Sequence, residues 1–285
     1  MNRTLYWYKP LKWRLAPTCP CLTMVLYQEF PPCPALAPYL ACLWTCHVLP
    51  GPGGVTVTHR VLPDNCIDIL WHDTAAPPKV AGMMSSMIAV AVTAPLRTIA
   101  VRFKPGAAAH FFALPLHEIT DQHPALADLW GQGEAARFAD ALFGHSPNEP
   151  DAQPALARLQ RLLLARLGLR PGTRPAPPRA GMIDAALAAL DGAHGALRIE
   201  SLATQLGVSR QHLAGQFRAR VGLPPKLYAR VCRFRAASAR IRATPAQVLD
   251  FSALALELGY YDQPHLIHDF RTLAGSTPES FLARS

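Results

Sequence analysis

The sequence of 285 residues lacks the features that mark several large classes of protein. It has no run of about 18 or more uncharged apolar residues, so we expect no membrane-spanning helix. Its first 23 residues contain arginine and lysine but no apolar stretch typical of a signal peptide. There is no Ser/His/Asp motif, no phosphate-binding glycine loop and no His-Glu-x-x-His zinc motif. We therefore expect a cytoplasmic protein that is not an enzyme and that binds neither a cofactor nor a membrane.

The seven cysteines lack a recognised pattern. Six lie in the first 66 residues, and none forms a Cys-x2-Cys pair. Two interpretations remain open. Cys42, Cys46 and His47, together with Cys66 and His72, could bind zinc through thiolates and imidazoles. Alternatively, the thiols are buried and behave as small hydrophobic side chains. We favour the second interpretation and predict no metal site.

Charged residues are distributed unevenly along the chain. Residues 25–150 contain ten acidic and six basic side chains, whereas residues 181–285 contain eight acidic and twelve basic ones. The segment between them, 151–180, contains six basic side chains and one acidic one. A basic surface is expected where a protein binds a phosphate backbone. We therefore expect an acidic first domain at 25–150 and a basic second domain at 182–285, with a disordered extension at 1–24.

The first domain is predicted to be a β-rich sandwich or barrel. Short runs of Val, Ile or Met are bounded by Pro, Gly or Asp, which is typical of strands. The expected strands are Val55–Leu62, Cys66–His72, Val80–Gly82, Met87–Thr93 and Arg97–Phe103. We expect helical segments at Ala108–Leu114, Leu126–Trp130 and Ala135–Phe143. Residues 25–49 alternate proline clusters with apolar side chains, and we assign no strand or helix there.

A leucine-rich helix and a linker follow at residues 151–181. Six leucines between residues 156 and 167 recur at helical intervals and form one broad face of a helix at Pro154–Leu169. This face could pack on the first domain or pair with its counterpart in a homodimer. The segment Arg170–Gly181 contains four prolines in twelve residues, which predicts an extended, semi-rigid linker.

The most informative feature of the second domain is a pattern that occurs twice, 52 residues apart. Each copy has the core Leu-Ala-x-x-Leu-Gly, beginning at Leu202 and at Leu254, and then a helix opened by a capping residue, Ser209 or Asp262. Matching apolar positions and a later glycine follow in both copies: Leu213, Phe217 and Gly222, and Leu266, Phe270 and Gly275. Each copy predicts a helix-turn-helix, at about 201–221 and about 252–274.

These motifs resemble the DNA-binding domain of the AraC/XylS family of bacterial transcription regulators. The resemblance includes Gly-Tyr-Tyr-Asp-Gln-Pro-His-Leu at 259–266 and the ending Phe270-x4-Gly275-x2-Pro278-x2-Phe281, and it extends over residues 182–284. It implies an all-α domain with two helix-turn-helix units and double-stranded DNA as the partner. It also implies contact with RNA polymerase, as in a transcription activator.

The first domain carries a less specific resemblance. Leu62–Leu70 and Val101–Ala107 are similar to the β-rich N-terminal domain of a subset of AraC-type regulators. This similarity implies a module that senses a small-molecule effector or assembles the protein into oligomers. The sequence does not identify the residues that bind the effector.

The second helix of each unit is expected to lie in the DNA major groove, over Arg210–Val221 and over Gln263–Leu273. Glutamine can bond an adenine edge at two points, and arginine can do so with guanine. Because Ala214 and Gly215 are small, we expect the first helix either to read fewer bases than the second or to use methyl contacts. From the helical pattern and the resemblance, the base-facing or near-base residues are Arg210, Gln211, His212, Ala214 and Gly215 in the first helix, and Gln263, Pro264, His265 and His268 in the second.

Phosphate contacts are expected from the cations that flank these helices, namely Arg210, Arg218, Lys226, Arg233, Arg235 and Arg271. A connecting helix is expected at Pro224–Ala243, with Tyr228, Val231, Phe234 and Ala237 facing inward. This helix would hold the two reading helices about one turn of DNA apart, roughly 34 Å, so that both enter the major groove on one face.

Two other classes of function fit the sequence less well. AraC-type modules are sometimes fused to alkyl-transferring DNA-repair domains, which need a reactive cysteine in a Pro-Cys-His-Arg setting. Here Cys46-His47 is followed by Val48 and Leu49, which breaks that pattern. A scaffold protein that binds no nucleic acid is disfavoured by the two polar, cation-flanked helices.

Four charged residues of the first domain, Asp64, Asp68, Arg102 and Lys104, have two interpretations. They could bind a ligand. Alternatively, Asp64 holds a turn after Pro63 through its side chain, and the alternating charges mark the solvent-facing side of a strand. We favour the second interpretation.

Overall fold

A computed structural model describes residues 24–49, 56–144, 152–169, 181–244 and 248–283. Of the extension predicted at residues 1–24, residues 1–23 lie outside these ranges, as do the linker residues 170–180, and Met24 begins the first strand. We call the described residues from 24 to 169 the first domain and those from 181 to 283 the second domain. The first is rich in β-structure and the second is entirely helical, as expected from the sequence.

The first domain contains two antiparallel sheets. The larger sheet has the strand order β1-β2-β7-β4-β5, and β3 pairs with β6 in a separate two-stranded sheet. All five predicted strands are present, with ends that differ by two residues or fewer. The strands are β1 (Met24–Phe30), β2 (Leu40–Leu49), β3 (Thr56–Val61), β4 (Asp68–His72), β5 (Lys79–Ala81), β6 (Ile88–Thr93) and β7 (Leu96–Phe103).

Strands β1 and β2 were not predicted, and the burial of β2 explains why. The neighbouring residues Leu43 and Trp44 point to opposite faces of the sheet, and both are buried. The strand lies between β1 and β7 and is covered on both faces, so it lacks the alternation of apolar and polar residues that identifies a half-exposed strand.

Helical segments complete the first domain: 3-10 turns at Ala107–His110 and Leu116–Ile119, and helices α1 (Leu126–Trp130), α2 (Gln132–Phe143) and α3 (Gln153–Arg166). The predicted α-helix at Ala108–Leu114 is wrong. Proline disfavours the helical conformation in the residue before it, so Pro115 is incompatible with a helix that reaches Leu114. The chain forms two short 3-10 turns on either side of this point instead.

Helix α3 packs its leucines into the first domain. Leu156, Leu159, Leu163 and Leu164 are buried in the same core as Trp130 and Phe138. The guanidinium of Arg166 lies 4.0 Å from the centre of the Trp130 ring, which adds a cation–π contact. Packing on the first domain, one of the two alternatives, is therefore confirmed. Because the leucine face is buried within the chain, it no longer supports a homodimer.

The second domain contains seven helices among its described residues: α4 (Met182–Gly192), α5 (Ile199–Gln205), α6 (Arg210–Val221), α7 (Pro225–Ala243), α8 (Phe251–Glu257), α9 (Gln263–Ala274) and α10 (Pro278–Leu282). The pairs α5–α6 and α8–α9 form the two helix-turn-helix units, and α7 connects them. The four residues of α7 that were predicted to face inward, Tyr228, Val231, Phe234 and Ala237, are fully buried. Throughout the described ranges, every helix falls short of the length and hydrophobicity required to span a bilayer.

The two units belong to different cores. Leu213, Phe217 and Val221 of α6 share one hydrophobic cluster with Phe111 and Leu116 of the first domain. Phe234 of α7 and Phe270 of α9 form the centre of a second, smaller cluster, against which Leu62 of the first domain packs. The first unit is thus continuous with the core of the first domain, whereas the second unit has its own core.

Candidate nucleic-acid interface

The two candidate reading helices, α6 and α9, begin and end in the same way. The Ser209 side chain accepts a hydrogen bond from the backbone N–H of His212 at 3.1 Å, and Asp262 accepts one from His265 at 2.8 Å. These contacts satisfy amide groups that the first turn of a helix leaves unpaired. Each helix ends at a glycine in the left-handed region, Gly222 with φ of 102° and Gly275 with φ of 62°. The sequence repeat is therefore a repeat in structure.

Helix α6 presents a polar face to solvent opposite its buried Leu213 and Phe217. Its predicted base-facing residues Arg210, Gln211, His212 and Gly215 are exposed, and Ala214 is half-buried; Arg218, a predicted phosphate contact, is also exposed. Arg210 donates to Glu200 of α5 at 2.9 Å through an exposed ion pair, which contributes little to stability. The structure thus places these residues on one accessible helix.

In helix α9, two of the predicted reading residues form hydrogen bonds with neighbouring residues of the second domain. The Gln263 side-chain oxygen accepts a hydrogen bond from the Ser252 hydroxyl at 2.8 Å. The backbone N–H of Tyr261 donates to Nδ1 of His265 at 3.3 Å, and the His265 ring packs edge-on against Tyr260. Both side chains are half-buried, whereas the other predicted residues, Pro264, His268 and Arg271, are exposed. The second unit therefore presents partly pre-oriented side chains.

The predicted phosphate contacts divide into two groups. Arg218, Lys226 and Arg271 are exposed, together with Arg210. Arg233, by contrast, donates to the carbonyl of Gly195 at 3.0 Å, and its guanidinium lies 5.3 Å from the Tyr260 ring centre. Arg235 is half-buried and also has intramolecular interactions. Both cations are engaged within the protein, and their phosphate contacts stay predictions.

Sequence reasoning missed an ion pair that joins α7 to α9. Two nitrogens of Arg230 donate to Oδ1 of Asp269 at 3.0 and 2.8 Å, and Asp269 is completely buried. Leu266, Asp269 and Leu273 are spaced by three and four residues, which places Asp269 on the inward stripe of α9. That spacing was the available signal, because a carboxylate on an inward stripe needs a partner.

The charged residues of the first domain that could have bound a ligand interact with one another or with the backbone. Arg102 donates to both carboxylate oxygens of Asp68, at 3.0 and 2.8 Å. Asp64 accepts from the backbone N–H of Cys66 at 3.0 Å, so the turn interpretation is confirmed for this residue. The solvent-facing interpretation is wrong for Asp68, which is buried. Lys104 donates to the carbonyl of Ala37 at 2.6 Å.

The cysteines of the described chain are free thiols. Burial raises the pKa of Cys42 to about 12, and it also raises the pKa of Cys46. A thiol with a raised pKa is a poor nucleophile at neutral pH. Among the residues that the structure describes, no three His, Cys, Asp or Glu side chains are arranged to hold a metal ion. The zinc interpretation of Cys42, Cys46 and Cys66 therefore has no support there.

Comparisons with protein families match both domains. Residues 202–284 match the model of a helix-turn-helix domain, and residues 28–125 match a domain of unknown function, DUF6597. Residues 202–284 are an AraC-type helix-turn-helix domain. AraC-type domains bind DNA, so the chain is a DNA-binding transcription regulator. Regulators of this kind are normally not enzymes.

Several solved structures of ToxT resemble the chain at low sequence identity. The crystal structure of ToxT from Vibrio cholerae O395 gives a TM-score of 0.42 at 9% identity, covering 81% of this chain and 97% of that one. ToxT bound to (E)-4-(8-methylnaphthalen-1-yl)but-3-enoic acid gives 0.42 at 9% identity, with coverages of 81% and 99%. Wild-type ToxT from Vibrio cholerae strain SCE256, bound to an unsaturated fatty acid, gives a TM-score of 0.37 at 9% identity. That alignment covers 80% of this chain and 94% of the ToxT chain. The comparison with curated proteins gives no match.

Proposed function

We propose that this AraC-type regulator reads two neighbouring DNA half-sites, one with α6 and one with α9. The observation that carries this proposal is the repeated unit itself. Both helices have a side-chain cap at the start, a left-handed glycine at the end, and an apolar stripe buried against a partner helix. The opposite face of each helix is polar and accessible. Such a helix fits the major groove with its N-terminal residues at the base edges.

The proposed base-reading residues are those that the structure leaves accessible at the starts of the two helices. In α6 they are Arg210, Gln211 and His212, with Ala214 and Gly215 allowing close approach of the backbone. In α9 they are Gln263, Pro264, His265 and His268. Because Gln263 and His265 already have hydrogen-bond partners, they lose less conformational entropy on binding. We therefore propose that α9 contributes more to sequence preference than α6.

The proposed phosphate contacts are the exposed cations Arg210, Arg218, Lys226 and Arg271. Arg218 and Arg271 occupy equivalent positions of the repeat, 53 residues apart. Contacts to phosphate release counterions, so they weaken steeply as salt concentration rises. They orient the protein on the duplex without reading its sequence.

We propose that the first domain, taken as residues 25–150, is a sensor for a small-molecule effector. A cleft of about 240 Å³ supports this role, because it is lined by Tyr39 and Lys104 of the first domain and by Asp184 and Arg220 of the second. A ligand there would contact both domains.

We also propose contact with RNA polymerase, as the family resemblance implies, and a cytoplasmic location, where bacterial DNA lies. A homodimer remains a proposal, and the leucines of α3 do not supply its interface.

The test is binding of the full chain to duplexes selected from a random library, measured by fluorescence anisotropy. We expect the selected duplex to bind at least about a thousandfold more tightly than a scrambled one, as is usual for specific regulators. Affinity for both duplexes should fall steeply with salt. Equal affinity for selected and scrambled duplexes would contradict sequence-specific reading.

A further inference from the structure

The first domain contacts both reading helices at their C-terminal ends. The hydroxyl of Thr120 donates to the carbonyl of Gly222, at the end of α6, at 2.7 Å. Nη2 of Arg60 donates to the carbonyl of Ala274, at the end of α9, at 3.2 Å. Carbonyls at the end of a helix have no partner within the helix and carry partial negative charge. Both bonds therefore satisfy groups that the second domain leaves open.

The packing around the two terminal glycines follows the same arrangement. A Cβ atom on Gly222 would lie 3.0 Å from Cγ of Met83 and 3.3 Å from the carbonyl oxygen of Leu116. A Cβ atom on Gly275 would lie 3.2 Å from Nη2 of Arg60 and 3.3 Å from Cε of Met87. All four neighbours belong to the first domain. Each reading helix thus ends in close contact with that domain.

The contacting residues are tied together in one part of the first domain. Met83 and Met87 lie on the loop between β5 and β6. Asp121, the residue after Thr120, accepts hydrogen bonds from the backbone and the hydroxyl of Ser85 on this loop, both at 2.7 Å. Nε of Arg60 lies 3.3 Å from the sulfur of Met87. We call Arg60, Met83, Met87, Thr120 and Asp121 the bracket.

A third contact holds the connecting helix α7 between the two ends. Asn65 is 1% exposed and has a φ of 63°, a conformation that few residues other than glycine adopt. Its side-chain amide donates to the carbonyl of Tyr228 at 3.2 Å and to the sulfur of Cys232 at 3.3 Å. The first domain therefore touches α6, α7 and α9 at once.

We propose that the bracket sets the separation of the two reading helices, so that the first domain determines the half-site spacing the regulator accepts. This inference rests on the proposed function. One base pair occupies roughly 3.4 Å along the duplex, so a shift of that size in one helix end changes the matching spacing by about one base pair. Without the bracket, the separation of the two helix ends would depend on α7, its end connections and the Asn65 contact to α7.

The experiment uses the full chain and a selected duplex, with one base pair inserted or deleted between the half-sites. The measured quantity is the spacing ratio, the affinity for the selected spacing divided by the affinity for the altered one. The test variants are Thr120→Val, which removes the donor at nearly constant shape, Arg60→Met, and the double variant. Thr120→Ser, which keeps the hydroxyl, and Arg137→Met, on the exposed surface of α2, are the matched controls.

We expect the double variant to lower the spacing ratio about tenfold, because each lost hydrogen bond should lower that ratio a few-fold. Each single variant should produce part of this change, and both controls should match the unaltered chain. The single variants also keep the test valid if the double variant fails to fold, which thermal unfolding will show. An unchanged ratio in folded variants overturns the inference, even if their melting temperatures or overall affinities fall. Sequence-blind binding by the unaltered chain would instead overturn the proposed function, and the inference with it.

Discussion

The two helix-turn-helix units have the same local geometry but different surroundings. Helix α6 of the first unit lies against both 3-10 turns of the first domain, and its buried residues belong to the large shared core. Helix α9 of the second unit packs mainly on α7, α8 and α10, in a smaller core of its own. A duplicated sequence pattern has therefore produced one unit that is integrated with the first domain and one that is nearly self-contained.

From this difference we propose different tasks for the two units. The first unit is placed to respond to the first domain, because its helix α6 packs against the two 3-10 turns. The second unit is better organised for reading, because Ser252 and Tyr261 orient Gln263 and His265. The buried Arg230–Asp269 pair fixes α9 to α7 and has no counterpart in the first unit, where the position equivalent to Asp269 is the exposed Gln216.

The largest expected effect comes from removing that ion pair. Asp269→Ala should lower the free energy of unfolding by about 3 kcal/mol, because it leaves Arg230 without its partner. Gln216→Ala, the matched change in the first unit, should alter stability by less than about 0.5 kcal/mol. Urea unfolding of both variants checks this. Similar losses in the two variants would show that the units do not differ in this respect.

The terminal glycines give the next largest effect on the free energy of unfolding. Gly275→Ala should cost about 1–2 kcal/mol of stability, because alanine is strained in the left-handed region. Gly222→Ala should cost more, because the new methyl group meets the backbone carbonyl of Leu116 there, whereas at Gly275 it meets only the flexible ends of the Arg60 and Met87 side chains. Gly215→Ala, in the open interior of α6, is the control and should stabilise the fold by about 0.5–1 kcal/mol. Thermal unfolding that gives Gly275→Ala the larger cost would reverse the comparison of the two units.

Base reading should also differ between the units. The double change Gln263→Ala with His268→Ala should cost about 1–3 kcal/mol of binding for each lost base contact, on the preferred duplex only. Gln211→Ala in α6 should cost less, because α6 is expected to read fewer bases. Anisotropy titrations on preferred and scrambled duplexes measure both effects. Equal losses of the double variant on the two duplexes would remove α9 from the reading role.

The smallest effect is expected from the paired phosphate contacts. Arg218→Ala and Arg271→Ala should each weaken binding to every duplex by a similar factor and reduce the slope of log affinity against log salt by about 1. Titrations at several salt concentrations check the slope. If either change discriminates between preferred and scrambled duplexes, that arginine reads bases and is not a phosphate contact.

The second domain was the more predictable part of the fold, because its signals are local. Capping residues Ser209 and Asp262 fix where α6 and α9 begin, and Gly222 and Gly275 fix where they end. In the first domain, β2 was missed because it is buried on both faces, and Pro115 replaced an expected helix by two 3-10 turns.

The contacts between domains were not predictable from the sequence. Arg60 and Ala274 are separated by 214 residues, and no local pattern relates them. The same holds for the contact of Arg233, which was predicted to bind phosphate because it is one of the cations that flank the reading helices. Only the fold brings the carbonyl of Gly195 within reach of its guanidinium. Contacts between residues that are distant in sequence therefore had to come from the structure.

The most direct test of the account is a hydroxyl-radical footprint of the full chain on a selected duplex. Two reading helices held by α7 and the bracket should protect two windows on one face of the DNA, about 10 base pairs apart. Footprints of the variant with Gln263→Ala and His268→Ala should lose protection in one window and retain it in the other. A single protected window for the unaltered chain would contradict the claim that both units read DNA.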